Sequence, residues 1–98
     1  MAATEAALRR EGTDCPLGTF PAGRAGGLDV AVHADRVEIR SRRRVMALEY
    51  RSIERCLASS ESGHDALAIV DRAGQVLLIP MRRADAGAAA VLVNRLLG

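Results

Sequence analysis

The clearest pattern in this chain begins at Leu28. In LDVAVH, Leu28, Val30 and Val32 alternate with Asp29, Ala31 and His33; in RVEIRS, Val37 and Ile39 alternate with Arg36, Glu38 and Arg40. A period of two with one apolar and one polar face predicts strands of an antiparallel sheet that is wet on one side. Ala34 and Asp35 separate the runs, a spacing suited to a tight hairpin. Met46, Leu48 and Tyr50 share a face in the same manner, and in RSIERCLAS Ile53 and Leu57 fall on one side. Ile53, Cys56 and Leu57 also fit a helical turn, but no stop signal precedes Ser59, so a strand is expected. SSESGH reads as a polar loop. ALAIVD and QVLLIPM then flank Arg72-Ala73-Gly74, with Gly where a hairpin connection calls for positive φ.

The period then changes. Ala89, Leu92, Val93 and Leu96 recur at i, i+3, i+4 and i+7, which predicts a helix with Asp85 as its N-cap. Asn94 and Arg95 lie off that stripe, and Arg95 complements the C-terminal end of the helix dipole. Ahead of Leu28 the pattern is weak. Residues 4–11 can make two helical turns between Thr4 and Gly12, and residues 12–27 carry five glycines and two prolines. Leu17 to Phe20 can add a short edge strand there. The expected organisation is a flexible N-terminal arm over 1–27, with a possible short helix, and one domain over 28–98. With 98 residues there is room for a single core. The fold class is α+β: a mostly antiparallel β roll or partly open barrel of six to seven strands, closed by a C-terminal helix.

In that order of elements the stretch from LDVAVH to VLLIP resembles a bacterial pleckstrin-homology-like (PH-like, GRAM-type) domain. The opening hairpin, the LEYRSIERC turn into the next strand and the closing helix carry the resemblance, over about residues 28–97. The chain has no Trp, which eukaryotic members often carry in the closing helix. The resemblance implies a roll of two sheets with a binding role and no catalytic residues to carry over. Function by fold analogy is weak, because such folds host lipid, peptide and protein binders alike. A second resemblance, of ALAIVDRAGQVLLIPM to the central hairpin of roadblock-type dimerisation domains, conflicts with the strand pattern of residues 28–50, where that family places helix.

Composition narrows the partners. Aromatics are limited to Phe20 and Tyr50, so the core is aliphatic and stacking platforms for single-stranded nucleic acid are not expected. The net charge is +2, and all 14 basic residues are Arg. Residues 36–55 hold seven Arg against three Glu, whereas the rest of the chain is slightly acidic. Within that segment Arg40, Arg42, Arg43 and Arg44 are the candidates for gripping an anionic lipid headgroup or nucleic acid, since guanidinium groups bind phosphate oxygens in a bidentate fork. The alternative is a solvated loop with local Arg–Glu pairs of little energetic value. Cys15 and Cys56 read as free thiols of a reducing compartment, with Cys56 near the core and Cys15 exposed beside Pro16. The first eight residues lack a secretory leader pattern, so the expected localisation is cytoplasmic. His64-Asp65 with Ser59, Ser60 and Ser62 allows a Ser–His–Asp arrangement only on paper, without the usual nucleophile elbow. No metal site, cofactor or enzyme activity is expected.

QVLLIPM places Val76 and Leu78 on one face and Leu77, Ile79 and Met81 on the other, so both faces call for cover. Val91 and Leu97 widen the apolar stripe of the helix. Leu77, Ile79, Met81, Val91 and Leu97 are therefore the interface candidates, and the partner is another protein subunit or a second copy. The expected function is a non-enzymatic protein-interaction or scaffolding module, an adaptor or small subunit of a larger assembly. The alternatives are an arginine-loop binder of anionic lipid or nucleic acid, and a small accessory subunit of an enzyme.

Overall fold

The computed structural model describes residues 15–98. The helix expected over residues 4–11 lies outside them. Among the described residues seven strands and one helix follow in order: β1 (Gly18–Ala22), β2 (Leu28–Val32), β3 (Arg36–Arg40), β4 (Val45–Glu49), β5 (Ile53–Glu61), β6 (His64–Asp71), β7 (Val76–Pro80) and α1 (Arg83–Leu97). The strands form two antiparallel sheets, β1-β2-β3-β4 and β5-β6-β7, and the helix follows them. The fold is therefore α+β, and among the described residues the two sheets do not close into a barrel.

Several turns explain the strand boundaries. His33 N–H donates to the carbonyl of Arg36, which closes the two-residue hairpin at Ala34-Asp35. The stretch expected as a polar loop is instead a tight reversal: Glu61 pairs with His64, and Ser62 (φ 53) and Gly63 (φ 77) both take left-handed backbone. That is the twist a two-residue hairpin needs, and it lengthens β5 and β6 to the very turn. At the next reversal Gly74 sits at φ 87, and Asp71 Oδ1 accepts from the N–H of Ala73 and Gln75, both at 2.9 Å.

The seventh strand comes from the segment read as an arm. Gly18–Ala22 pairs with β2 over its whole length, and Ala22 is buried. The regular unit therefore begins ten residues before Leu28. A side chain at position 18 would meet Leu92 Cδ2 and the Phe20 ring at 3.1 Å, so glycine there lets the helix close on β1.

The core is aliphatic. Val30, Val32 and Val37 from the first sheet meet Ile53 and Leu67 from the second, all at most 1% exposed. Ala86, Ala89 and Val93 of α1 cover them, lying chiefly against β5. Burying each large side chain contributes about 1.5–3 kcal/mol before entropy is charged. The N-cap of α1 is Arg82, not Asp85, which stands one turn in. Asp85 still favours the positive end of the helix dipole from that place.

Helix and sheet are also tied by a polar clamp. The Asn94 side chain accepts from Cys56 N–H at 2.9 Å and donates to Cys56 C=O at 2.7 Å. It thus satisfies the outer edge of β5 as a neighbouring strand would. Among the described residues no helix is long and apolar enough to cross a membrane.

Candidate interaction surfaces

The four arginine candidates fall into two groups. Arg40 is engaged: its Nε donates to Asp29 Oδ1 at 2.7 Å across the β2–β3 ladder, where the two residues are register partners. Arg36 is engaged likewise, with Asp35 at 2.8 Å and Glu38 at 3.1 Å. The polar face of β3 is thus ordinary surface pairing, across the ladder for Arg40 and along the strand and turn for Arg36. Arg42, Arg43 and Arg44 are different. The bond from Ser41 N–H to Arg44 C=O (2.8 Å) places Arg42 and Arg43 at the tip of the turn, and all three side chains are exposed. None of the three makes an ion pair among the described residues. With Ser41 and Gly27 they surround a shallow notch of about 360 Å³.

The interface candidates separate by strand parity. Leu77 and Ile79 pair with Ile69 and Leu67 and turn inward with Met81. Ile79 and Met81 belong to the core, and Leu77 lies at its rim, 36% exposed. On the other face Val76 and Leu78 point out, 56% and 53% exposed. Leu57 joins them. A bulge between Ile53 and Arg55 shifts the phase of β5, so Cys56 shares the inward side with Ile53 while Leu57 turns out, 40% exposed. One extra residue reverses every side chain beyond it, which is why Ile53 and Leu57 do not share a face as the spacing suggested. Leu57, Ala68 and Leu78 stand side by side across β5, β6 and β7, an apolar stripe on the outside of the sheet. On α1, Val91 is exposed and Leu97 packs half-buried against the core.

A larger cleft of about 890 Å³ opens where the β1–β2 turn, the β5–β6 turn and the end of β7 meet, with Arg24, Ser62, His64, Asp65 and Arg82 on its walls. His64 and Asp65 are successive residues of β6 and point to opposite faces. No hydrogen bond joins His64 to Asp65 or to a neighbouring serine among the described residues. No cluster of three or more His, Cys, Asp or Glu among them could hold a metal ion.

His33, read as a polar-face residue, is buried. Its Nε2 contacts Glu38 Oε1 at 3.0 Å, its carbonyl accepts the Tyr50 hydroxyl, and its Nδ1 has no hydrogen-bond partner among the described residues. Burial pulls the Glu38 carboxyl up, but the hydrogen bonds and charges of Arg36 and His33 outweigh it and hold the group below its ordinary value. Burial, with Asp35 and Cys56 nearby, pushes Tyr50 up to about 12. Burial also pushes the Cys56 thiol up to about 11. These groups pin the β2–β3 turn to the corner leading into β5. Strand parity alone places His33 on the wet side; the Tyr50 contact that covers it is long-range and leaves no local signal.

No protein-family model matches the chain, and no curated protein matches it.

Proposed function

We propose that this protein is a non-enzymatic protein-interaction module, an adaptor or small subunit, that docks the outside of its three-stranded sheet on another protein, a second copy being the first candidate. The observation that carries this reading is the apolar stripe of Leu57 on β5 and Val76 and Leu78 on β7, the two edge strands of the sheet, open to water on its outer face. Open apolar edges invite pairing with another chain, and soluble proteins normally blunt them with charge. Here β7 carries no charged residue. Four strands, three strands and a closing helix are compatible with a PH-like arrangement, which supports a binding role by analogy only. Sedimentation velocity over a micromolar concentration series tests the reading. The expected result is a reversible dimer that Val76→Lys with Leu78→Lys converts to monomer; a strict monomer at every concentration would sink the self-associating form.

A second reading rests on Arg42, Arg43 and Arg44: three exposed guanidinium groups on one turn, without an ion pair among the described residues, suit phosphate oxygens of an anionic lipid or nucleic acid. Binding of that kind weakens steeply with salt, whereas an apolar interface does not.

A further inference from the structure

The first sheet ends in a second open edge, and its chemistry differs from that of β7. β4 is the last strand of its sheet. The turn bond from Ser41 N–H to Arg44 C=O sets the phase of the β3–β4 ladder, in which Val45 faces Arg40, Met46 faces Ile39 and Ala47 faces Glu38. In an antiparallel ladder, hydrogen-bonded and non-bonded pairs alternate. Ser41 and Arg44 are bonded, so Val45 and Ala47 are not bonded to β3, and their N–H and C=O groups point away from the sheet. The same phase argument applied to β5 turns the Cys56 backbone outward, where Asn94 is found bonded to it. Among the described residues no such side chain serves β4. Val45 is 59% and Met46 51% exposed.

Charge along this edge is one-sided. Arg42, Arg43 and Arg44 stand at its start. At its far end Glu49 is neutralised by Arg51 at 2.6 Å, and the Glu49 carbonyl accepts the Ser52 hydroxyl at 2.7 Å. The free edge is therefore short, apolar and positive at its N-terminal end only.

We propose that the β4 edge takes up an extended peptide segment, antiparallel, whose alternating apolar residues are followed by acidic ones. Antiparallel pairing continues the sheet as it stands and lays the segment's C-terminal acids beside the arginine turn. The free groups of Val45 and Ala47 bind its backbone, Met46 packs its apolar residues on the face it shares with Leu48, and the guanidinium groups bind its carboxylates. A lipid headgroup would use the arginines and leave the rest of the edge idle. This inference rests on the interaction-module reading but names a different surface and a different partner.

The probe is a fluorescein-labelled synthetic peptide, Thr-Val-Thr-Val-Asp-Glu-Asp, titrated with the full chain by fluorescence anisotropy. Saturable binding is expected, weaker by about tenfold in Ala47→Pro, which deletes one outward N–H and is tolerated at an edge. Arg42→Ser, Arg43→Ser and Arg44→Ser together should weaken it similarly and flatten its salt dependence. Should Ala47→Pro fail to fold, peptide N-methylated at alternate residues gives the same test with the unaltered protein and should not bind. Absence of binding overturns the proposal. So does binding that is indifferent to both Ala47→Pro and N-methylation, or capture of phosphatidylserine vesicles in place of peptide. Dimerisation through β7 would survive any of these results.

Discussion

Removing the Asn94 amide should loosen the helix from the sheet by an amount the geometry allows to be worked out. The side chain makes two hydrogen bonds to one residue, 2.9 and 2.7 Å, and the Cys56 they serve is 2% exposed. A hydrogen bond contributes about 1 kcal/mol net, and leaving a buried backbone group without a partner costs about 1–3 kcal/mol. Asn94 itself is exposed, so water can replace part of what Ala removes, and about 2 kcal/mol is the expected loss for Asn94→Ala. With a urea m value of about 1–2 kcal/mol/M for a chain of this size, the midpoint falls by about 1–2 M. Asn94→Asp separates the two bonds: a carboxylate still accepts from Cys56 N–H but meets the carbonyl with a like partial charge, so less than half the loss should return. Exchange of the Cys56 amide, followed by NMR, should accelerate in Asn94→Ala more than that of core amides on β6. Urea curves for Asn94→Ala and the unaltered chain that agree within about 0.5 kcal/mol would refute the clamp.

The two thiols should react apart: at pH 8 a disulfide reagent should modify exposed Cys15 promptly, while Cys56, buried with its thiol pushed up to about 11, reacts only as fast as the protein opens. Two thiols titrating together in native buffer would contradict that burial. Glu38 is held below its ordinary value of 4.5 in the folded protein, so its contribution is present above that pH and lost as pH falls through the folded value. Stability measured by urea unfolding should therefore drop below pH 4.5, and Glu38→Gln should flatten that slope. Changing Arg42, Arg43 and Arg44 together to Ser should leave stability within about 1 kcal/mol, because exposed unpaired charges contribute little; a larger loss by thermal melt would place that turn in the folded framework.

The parts of the fold readable in the sequence are those set by local periodicity. The β2–β3 hairpin, the strand through Ile53, the left-handed Gly74 and the terminal helix all follow from spacing and turn chemistry. What escaped depends on partners distant in the chain. For β1 the sequence offers only a short edge strand at Leu17 to Phe20; pairing with β2 carries the strand to Ala22, with Gly18 under Leu92. The β5 bulge moves Leu57 to the outside, and no residue type marks it. Asn94 was off the apolar stripe, which is correct, yet its role depends on Cys56 lying 38 residues away. Among the surfaces, Arg40 separates from Arg42–Arg44 only once Asp29 is seen beside it, and Ile79 and Met81 leave the interface once strand parity is anchored to the core.

The interaction reading is tested most directly by hydrogen–deuterium exchange of the pure protein at two concentrations, one below and one above the onset of association. The account predicts that residues 76–80, and the part of β5 around Leu57 across the sheet from them, gain protection at the higher concentration, while α1 is unchanged. Protection that is identical at both concentrations, or that rises on α1 instead, would contradict it.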